Sequence, residues 1–142
     1  HRVDRRQRQM CKETVDTPPA FNFFTLSAFI ASDRVIVPFD CNIFSKRALQ
    51  TLVQNILETR QDHNSDLLIE GIIVNQFDPR ANLPKEVVQT LVNEGYPVYD
   101  TKLSPSIIMK QSHHQSLPLI YLDAKHKLTQ QYAALYQEIE SR

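Results

Sequence analysis

The sequence predicts an α/β fold in which helices cover both faces of a parallel β-sheet. Three observations indicate this class: apolar β-branched runs typical of buried strands, amphipathic segments of helical period between them, and short connections. Strands that alternate with helices form parallel sheets, because each connection crosses back over one face of the sheet. A length of 142 residues fits a single domain.

The first part of the pattern predicts one short helix, one strand and one long helix. Residues 21–31 form an apolar helical stretch, and residues 34–39 (RVIVPF) form an apolar run typical of a buried strand. Ser45 is expected to cap a helix that continues to about Gln61. Apolar residues recur in this helix with helical spacing and predict one buried stripe, formed by Leu49, Leu52, Val53, Ile56 and Leu57.

The middle of the chain repeats the alternation. Residues 67–74 (LLIEGIIV) predict a second buried strand. Pro84 suits the first turn of the next helix, and Gly95 follows it where a C-terminal cap is expected. The inner face of this helix is predicted to hold Val87, Val88, Leu91 and Val92.

The last part predicts one more strand and two helices. Residues 96–103 are a third strand candidate, and Ser104 and Pro105 are expected to start a short helix to about His114. Residues 117–122 are expected to be extended, and a final helix is predicted from about 127 to 140. Its apolar face would hold Leu128, Tyr132, Leu135, Tyr136 and Ile139.

Composition excludes several kinds of site. The chain has 2 glycines, Gly71 before Ile72 and Gly95 before Tyr96, so neither a Walker A loop nor a three-glycine dinucleotide loop is present. Basic and acidic residues balance at 16 each, which argues against a wholly basic nucleic-acid coat. Two cysteines make no disulfide framework, so we expect a reduced, cytoplasmic protein. Apolar runs are too short for a membrane helix, and no membrane contact is expected.

The two ends of the chain differ in composition. Residues 1–14 are basic and poor in apolar side chains, which predicts a disordered or non-native segment; a nucleic-acid-binding arm and a solvated tail both remain open. Residues 15–142 carry the regular pattern of strands and helices. Because the chain begins with His1 rather than methionine, we expect a fragment, a processed product or an engineered sequence.

Three segments carry a more specific signal. DTPP at residues 16–19 is followed by ASDRVIVPF at 31–39 and VNQFDPRANL at 74–83. At this spacing they resemble the ParA/MinD/Soj-type (deviant Walker) chromosome and plasmid partitioning ATPases. DTPP itself resembles the Walker B motif of that family. The likeness extends over about residues 15–140.

The resemblance implies a P-loop NTPase-like fold and a bacterial, nucleoid-associated ATPase. Such a protein binds ATP and Mg²⁺, dimerises on ATP, binds DNA nonspecifically and works with a centromere-binding, ParB-like partner. Because the glycine-rich loop is missing and the residues before DTPP are too polar for a central strand, we expect the C-terminal portion, truncated at the N-terminus. This chain alone is expected to bind no cofactor, to be inactive in ATP hydrolysis, and to self-associate.

Individual roles also follow from the resemblance. The aspartate that matches Asp16 is catalytic and orients Mg²⁺ through a water, Asn75 ends a strand near the adenine, and the loop at Pro105 borders the base. Asp78 lies in the same nucleotide-binding region. Simpler interpretations stay open, because Asp16, Asn75 and Asp78 are all common turn residues.

DNA binding is implied for Lys102, Lys110 and Arg80, although ordinary surface charges, or a dimer contact at Arg80, would give the same pattern. Adjacent His113 and His114 face different directions on a helix and are not expected to form a metal site. Two alternative functions remain: a non-catalytic module that binds DNA or a partner protein, and an ATP-dependent relative similar to the cobyrinic-acid synthetases.

Overall fold

In a computed structural model of the chain, residues 13–18, 20–41 and 43–142 are described. The predicted basic segment therefore lies outside the described residues except for Glu13 and Thr14, and the second proline of DTPP lies outside them as well. In chain order the elements are α1 (Phe23–Ala31), β1 (Arg34–Asp40), α2 (Ile43–Asp62), β2 (Leu68–Asn75), α3 (Asn82–Asn93), α4 (Ile107–Gln115), α5 (Leu119–Leu122) and α6 (Lys127–Ser141).

The sheet is parallel, as the alternation of strands and helices predicts. Strand β1 pairs in parallel with β2, with Val37 opposite Ile72. On the other side of β2, Ile72 forms an isolated parallel bridge with Val98. Further along, the amide of Leu103 donates to the carbonyl of Val74 at 2.9 Å. The segment after α3 thus runs beside β2 and touches it at two points.

The third predicted strand, residues 96–103, is wrong as a continuous strand. Between its two contacts with β2, the backbone amides of Asp100 and Thr101 donate to the carboxylate of Glu138 at 2.7 and 2.9 Å. Amides that are committed to a side chain cannot extend a ladder with a neighbouring strand. The segment therefore bulges from the sheet toward α6.

Helices cover both faces of the sheet, as predicted. One face packs against α2 and α3 in a core of Val37, Phe39, Leu49, Ile72 and Leu91. The other face packs against α4, α5 and α6 in a core of Tyr99, Leu103, Leu119, Leu128 and Leu135, with Ile36 and Ile73 contributed by the strands. Because successive strand residues point to opposite faces, an apolar run of this kind supplies both cores at once.

Helix α1 is fixed to the start of β2 by one side chain. The Nδ2 group of Asn64 donates to the carbonyl oxygens of Phe29, Ile30 and Ser32 at 3.0, 3.2 and 2.7 Å. These carbonyls lie at the C-terminal end of α1, where no further turn of helix exists to bond them. Asn64 therefore closes the end of α1 and joins it to the connection that precedes β2.

Several predicted boundaries shift. Helix α2 begins before Ser45, which lies in its first turn and does not precede it. Helix α4 begins after Ser106, whose hydroxyl accepts the amide of Ile108 at 3.3 Å, and not at Ser104. A residue that precedes proline avoids the helical region, which keeps Ser104 extended and moves the cap past Pro105. The predicted extended segment 117–122 instead contains the one-turn helix α5.

The predicted burial of the apolar helix stripes is confirmed for residues at the centre of each stripe and wrong for some residues at its edge. Leu49, Ile56, Leu91 and Leu135 are buried, whereas Leu57, Val92 and Tyr136 are exposed. Each exposed residue lies at the edge of its helical stripe, where the neighbouring layer does not reach. The predicted C-terminal cap is confirmed: Gly95 follows α3 with φ of +84°, a left-handed conformation that favours glycine.

Candidate functional site

A cleft of about 660 Å³ opens at the carboxyl end of β2. Asn75, the last residue of that strand, lines it together with Gln76. The segment that leaves the sheet after Leu103 adds a second part of the wall. The remaining lining comes from that segment and from α4 and α6: Ser104, Pro105, Ser106, Ile107, Met109, Lys110, His113, Leu128 and Tyr132.

Two parts of the wall are joined through the backbone. Gln76 has φ of +51°, in the left-handed region that costs a non-glycine residue roughly 1–2 kcal/mol. This turn brings the amide of Phe77 to the carbonyl of Leu103 at 2.9 Å, while the amide of Leu103 donates to Val74. The backbone strain at Gln76 therefore lies where the end of β2 is tied to the start of the Ser104 segment.

Helix α6 holds the Ser104 segment from outside the cleft. The Oε1 atom of Gln131 accepts the backbone amide of Ser104 at 3.0 Å, and its Nε2 group donates to the hydroxyl of Ser104 at 2.9 Å. Two turns further along α6, Glu138 accepts the amides of Asp100 and Thr101. The loop that lines the cleft is thus anchored twice to one helix.

The Glu138 carboxylate, which forms the second anchor, is held in its ionised form by its partners. Burial raises the pKa of Glu138, but the backbone hydrogen bonds from Thr101 and Asp100 and the charge of Arg142 outweigh it and lower that pKa overall. Arg142 bonds Glu138 at 3.2 Å, and its guanidinium lies 4.2 Å from the centre of the Tyr99 ring. The carboxylate at position 138 therefore stays ionised and keeps both backbone amides bonded.

Two residues expected at the nucleotide site and one residue expected to bind DNA lie together. Asn75, Pro105 and Lys110 all line the cleft, although they are separated widely in the sequence. Asp78 and Arg80 are exposed in the loop after β2, and the Asp78 carboxylate accepts the amide of Arg80 at 2.9 Å. This is the turn geometry that its residue type also predicts.

The other two expected residues lie elsewhere. Asp16 is exposed in the chain that precedes α1. The amino group of Lys102 donates to the carbonyl oxygens of Asp100 and Tyr99, at 2.9 and 3.4 Å, so its charge is directed at its own loop. The roles suggested for Asp16 and Lys102 remain predictions.

Sequence reasoning missed Gln131 and the cleft-facing position of Tyr132. Gln131 is a polar residue on an amphipathic helix, and nothing in its local pattern distinguishes it from the solvent-exposed glutamines beside it. Helical spacing predicts Tyr132 on the apolar face of that helix, but it is partly exposed and lines the cleft. Only the packing of α6 against the Ser104 segment identifies these two residues.

The lining combines hydrogen-bonding side chains with apolar surface. An amide at Asn75 offers both a donor and an acceptor, and the hydroxyls of Ser104 and Ser106 add adaptable hydrogen bonds. Pro105 and Met109 supply apolar surface for a planar ring. Within the described ranges, no three His, Cys, Asp or Glu side chains come together as a metal site.

Among the described helices, none is both long and apolar enough to span a bilayer.

Comparisons with known proteins identify relatives of this chain. A family model described as an AAA domain matches residues 14–69. Chromosome partitioning protein ParA of Myxococcus xanthus is 31% identical over 131 residues, which are 90% of this chain and 46% of that protein. ParA of Caulobacter vibrioides is 30% identical over 129 residues, with 90% and 48% covered. Sporulation initiation inhibitor protein Soj of Bacillus subtilis is 26% identical, with 88% and 50% covered.

A solved structure supports the fold. Cobyrinic acid a,c-diamide synthase from Mycobacterium smegmatis, crystallised with an ATP analog and magnesium, is similar over 65% of this chain and 36% of that one, with 27% identity and a TM-score of 0.51. The chain spans about half the length of the curated relatives it matches. Its motifs, its parallel sheet with helices on both faces, and these relatives show that the chain is similar over most of its length to the ParA/MinD-type partitioning ATPases.

Proposed function

We propose that the cleft at the end of β2 binds the base of an adenine nucleotide. This chain would then supply the base-binding side of the nucleotide site in a partitioning ATPase. It would also bind ATP weakly by itself, which departs from the sequence-based expectation that the chain alone binds no cofactor. The observation that supports the proposal is the convergence of Asn75, Ser104 and Pro105 on one cleft at the carboxyl end of a parallel strand. Ligands of open α/β sheets bind at such strand ends.

The chemistry of the lining matches the edge of a purine. Adenine presents a donor next to an acceptor, and the side-chain amide of Asn75 presents the complementary pair. Pro105 and Met109 can pack against the faces of the ring, and the half-exposed ring of Tyr132 adds a further flat surface. A cleft of this size accommodates a base and its ribose while the phosphates extend toward solvent.

We propose that Asp16 serves the phosphate and magnesium side. Asp16 is one exposed carboxylate. It can hold Mg²⁺ through a bound water, because Mg²⁺ in proteins usually keeps several of its waters. Bound Mg²⁺ would neutralise charge on the phosphates. Since the chain has no glycine-rich loop to hold the phosphates, we expect it to release no phosphate from ATP by itself.

Titration of the chain with ATP and Mg²⁺ by calorimetry tests the base-binding proposal. Asn75→Ala should weaken ATP binding by about three- to tenfold, the loss of one or two hydrogen bonds. Asn93→Ala, an exposed asparagine at the end of α3, is the matched control and should bind as the unaltered chain does. Equal affinity of the two variants, or no ATP binding by the unaltered chain, would contradict the proposal.

The hydrolysis expectation has its own test. Phosphate release by the purified chain should stay at the level of buffer. Release that persists through purification and is abolished by Asp16→Ala would show that this chain is an ATPase on its own, and the division of the site would be wrong.

We also propose that α4 contributes to nonspecific DNA binding. Lys110 is exposed on this helix, and His113 and His114 lie in its last turn. Titration with a duplex at two salt concentrations should show weaker binding at high salt, and Lys110→Gln should lower the salt slope by about one. Lys85→Gln on α3 is the matched control. Salt-sensitive binding that needs no nucleotide would favour the alternative of a non-catalytic module.

Self-association is proposed on the exposed aromatic residues at the start of α1. Phe23 and Phe24 are 75% and 73% exposed, and their ring centres lie 5.9 Å apart. Adjacent exposed apolar residues of this kind mark interaction surfaces. Light scattering should give a mass above the monomer, which Phe23→Ser should reduce; a monomer at every concentration would refute this. A ParB-like partner and association with the nucleoid are proposed from the family alone.

A further inference from the structure

The Ser104 hydroxyl in the cleft is held by a side chain that lies outside it. Gln131 on α6 contacts Ser104 twice, with its oxygen on the backbone amide at 3.0 Å and its nitrogen on the hydroxyl oxygen at 2.9 Å. An amide that bonds one residue through both of its ends is fixed in rotation. The direction of the second bond is therefore fixed as well: Gln131 donates and Ser104 accepts.

This direction determines what Ser104 can offer to a ligand. A hydroxyl has one proton to donate and two lone pairs to accept with. One lone pair is taken by Gln131, and among the described residues the Ser104 proton donates to no acceptor. Because Ser104 lines the cleft, its remaining donor is available to a bound molecule there.

We propose that Gln131 is a positioning residue that makes Ser104 a hydrogen-bond donor toward a ring nitrogen of the bound base. The proposal rests on the base-binding function given above and specifies one contact within it. Asn75 can satisfy either polarity by rotating its amide. Ser104 keeps one lone pair, but its proton has no acceptor among the described residues, so an acceptor on the ligand satisfies it. Gln131 would thus impose a preference for a base with an acceptor at that point.

A purely mechanical role for Gln131 is separable from this one, because the segment has other anchors. Glu138 holds the amides of Asp100 and Thr101, and Leu103 is bonded to Val74 and Phe77. These contacts remain when Gln131 is changed. A variant at Gln131 is therefore expected to fold, and its effect on the cleft is local.

Gln131→Glu tests the polarity directly. The new carboxylate still accepts the backbone amide of Ser104, but it has no N–H to donate, so the Ser104 proton turns toward it and away from the ligand. Gln130→Glu, an exposed neighbour on α6, is the control for the added charge. Ser104→Ala is a second variant, which removes the hydroxyl and keeps the backbone bond to Gln131.

The readout is the affinity for ATP and for 1-deaza-, 3-deaza- and 7-deaza-ATP, each lacking one ring nitrogen. Gln131→Glu and Ser104→Ala should each weaken ATP binding about three- to tenfold, while Gln130→Glu changes it less than twofold. With one of the three analogues, the unaltered chain and both variants should bind alike, because the acceptor is gone.

Three results would overturn the inference. If Gln131→Glu and Gln130→Glu bind ATP equally, Gln131 does not set the polarity. If the loss persists with every deaza analogue, Gln131 only stiffens the loop and contacts no ring nitrogen through Ser104. If the unaltered chain binds no ATP, the base-binding function fails and the inference fails with it. In the first two results that function still stands, so the failures are distinguishable.

Discussion

Replacing Gly71 by alanine measures how tightly the segment after α3 packs against β2. A Cβ atom on Gly71 would lie 2.3 Å from Cε2 and 2.6 Å from Cζ of Tyr99, well inside contact distance. Tyr99 is fully buried, with 0% of its surface exposed. Glycine is thus needed at position 71 because the Tyr99 ring approaches so closely. Its backbone φ does not itself require glycine, since it lies outside the left-handed region.

The size of the effect follows from how the ring is confined. The ring would have to move by about 1 Å, which dense packing resists. Arg142 lies against it and donates to the carbonyls of Glu70 and Val98, at 3.3 Å each. Overpacking of a core costs about 1–3 kcal/mol and occasionally more, and we expect a loss near 3 kcal/mol in the free energy of unfolding for Gly71→Ala.

Gly95→Ala is the matched control, because it makes the same chemical change in open space. Nothing lies within 4 Å of its added Cβ, and its φ of +84° alone should cost about 1 kcal/mol. Urea unfolding followed by circular dichroism gives both values. On a Tyr99→Leu background the cost of Gly71→Ala should shrink. A cost no larger than that of Gly95→Ala, or no coupling to Tyr99, would refute the reasoning.

Three further predictions concern stability. Folding lowers the pKa of Glu138 below its ordinary 4.5, so the ionised carboxylate stabilises the fold above that pH, and this stabilisation is lost as the pH falls through the folded pKa. The difference in the free energy of unfolding between the unaltered chain and Glu138→Gln, measured with urea, should therefore shrink below about pH 4.5. Asn64→Ala leaves three carbonyls at the end of α1 without their donor and should cost about 2 kcal/mol, while exposed Asn93→Ala costs under about 0.5 kcal/mol; equal costs would contradict this. The Tyr99 hydroxyl is buried without a partner among the described residues, so Tyr99→Phe should leave the melting temperature unchanged or raise it, and a clear fall would show that the hydroxyl is bonded.

Local patterns in the sequence predict most elements of this fold because they reflect local burial. The β-branched run of β1 and the helical spacing of Leu49 and Ile56 in α2 each depend on neighbours within a few residues. The same logic fails at residues 96–103, whose apolar character predicts a strand. Hydrogen bonds to Glu138, 37 and 38 residues away, decide otherwise.

The sequence by itself determined the α/β class, the absence of a glycine-rich phosphate loop, and the family resemblance through DTPP and VNQFDPRANL. It also indicated Asn75 and Pro105, because strand ends and the residues of the motif can be read along the chain. The tertiary structure alone decided that these residues share one cleft with Lys110 and Tyr132, and that Gln131 fixes Ser104 from 27 residues away. A contact across that distance depends on how α6 packs on the sheet, which no local spacing encodes.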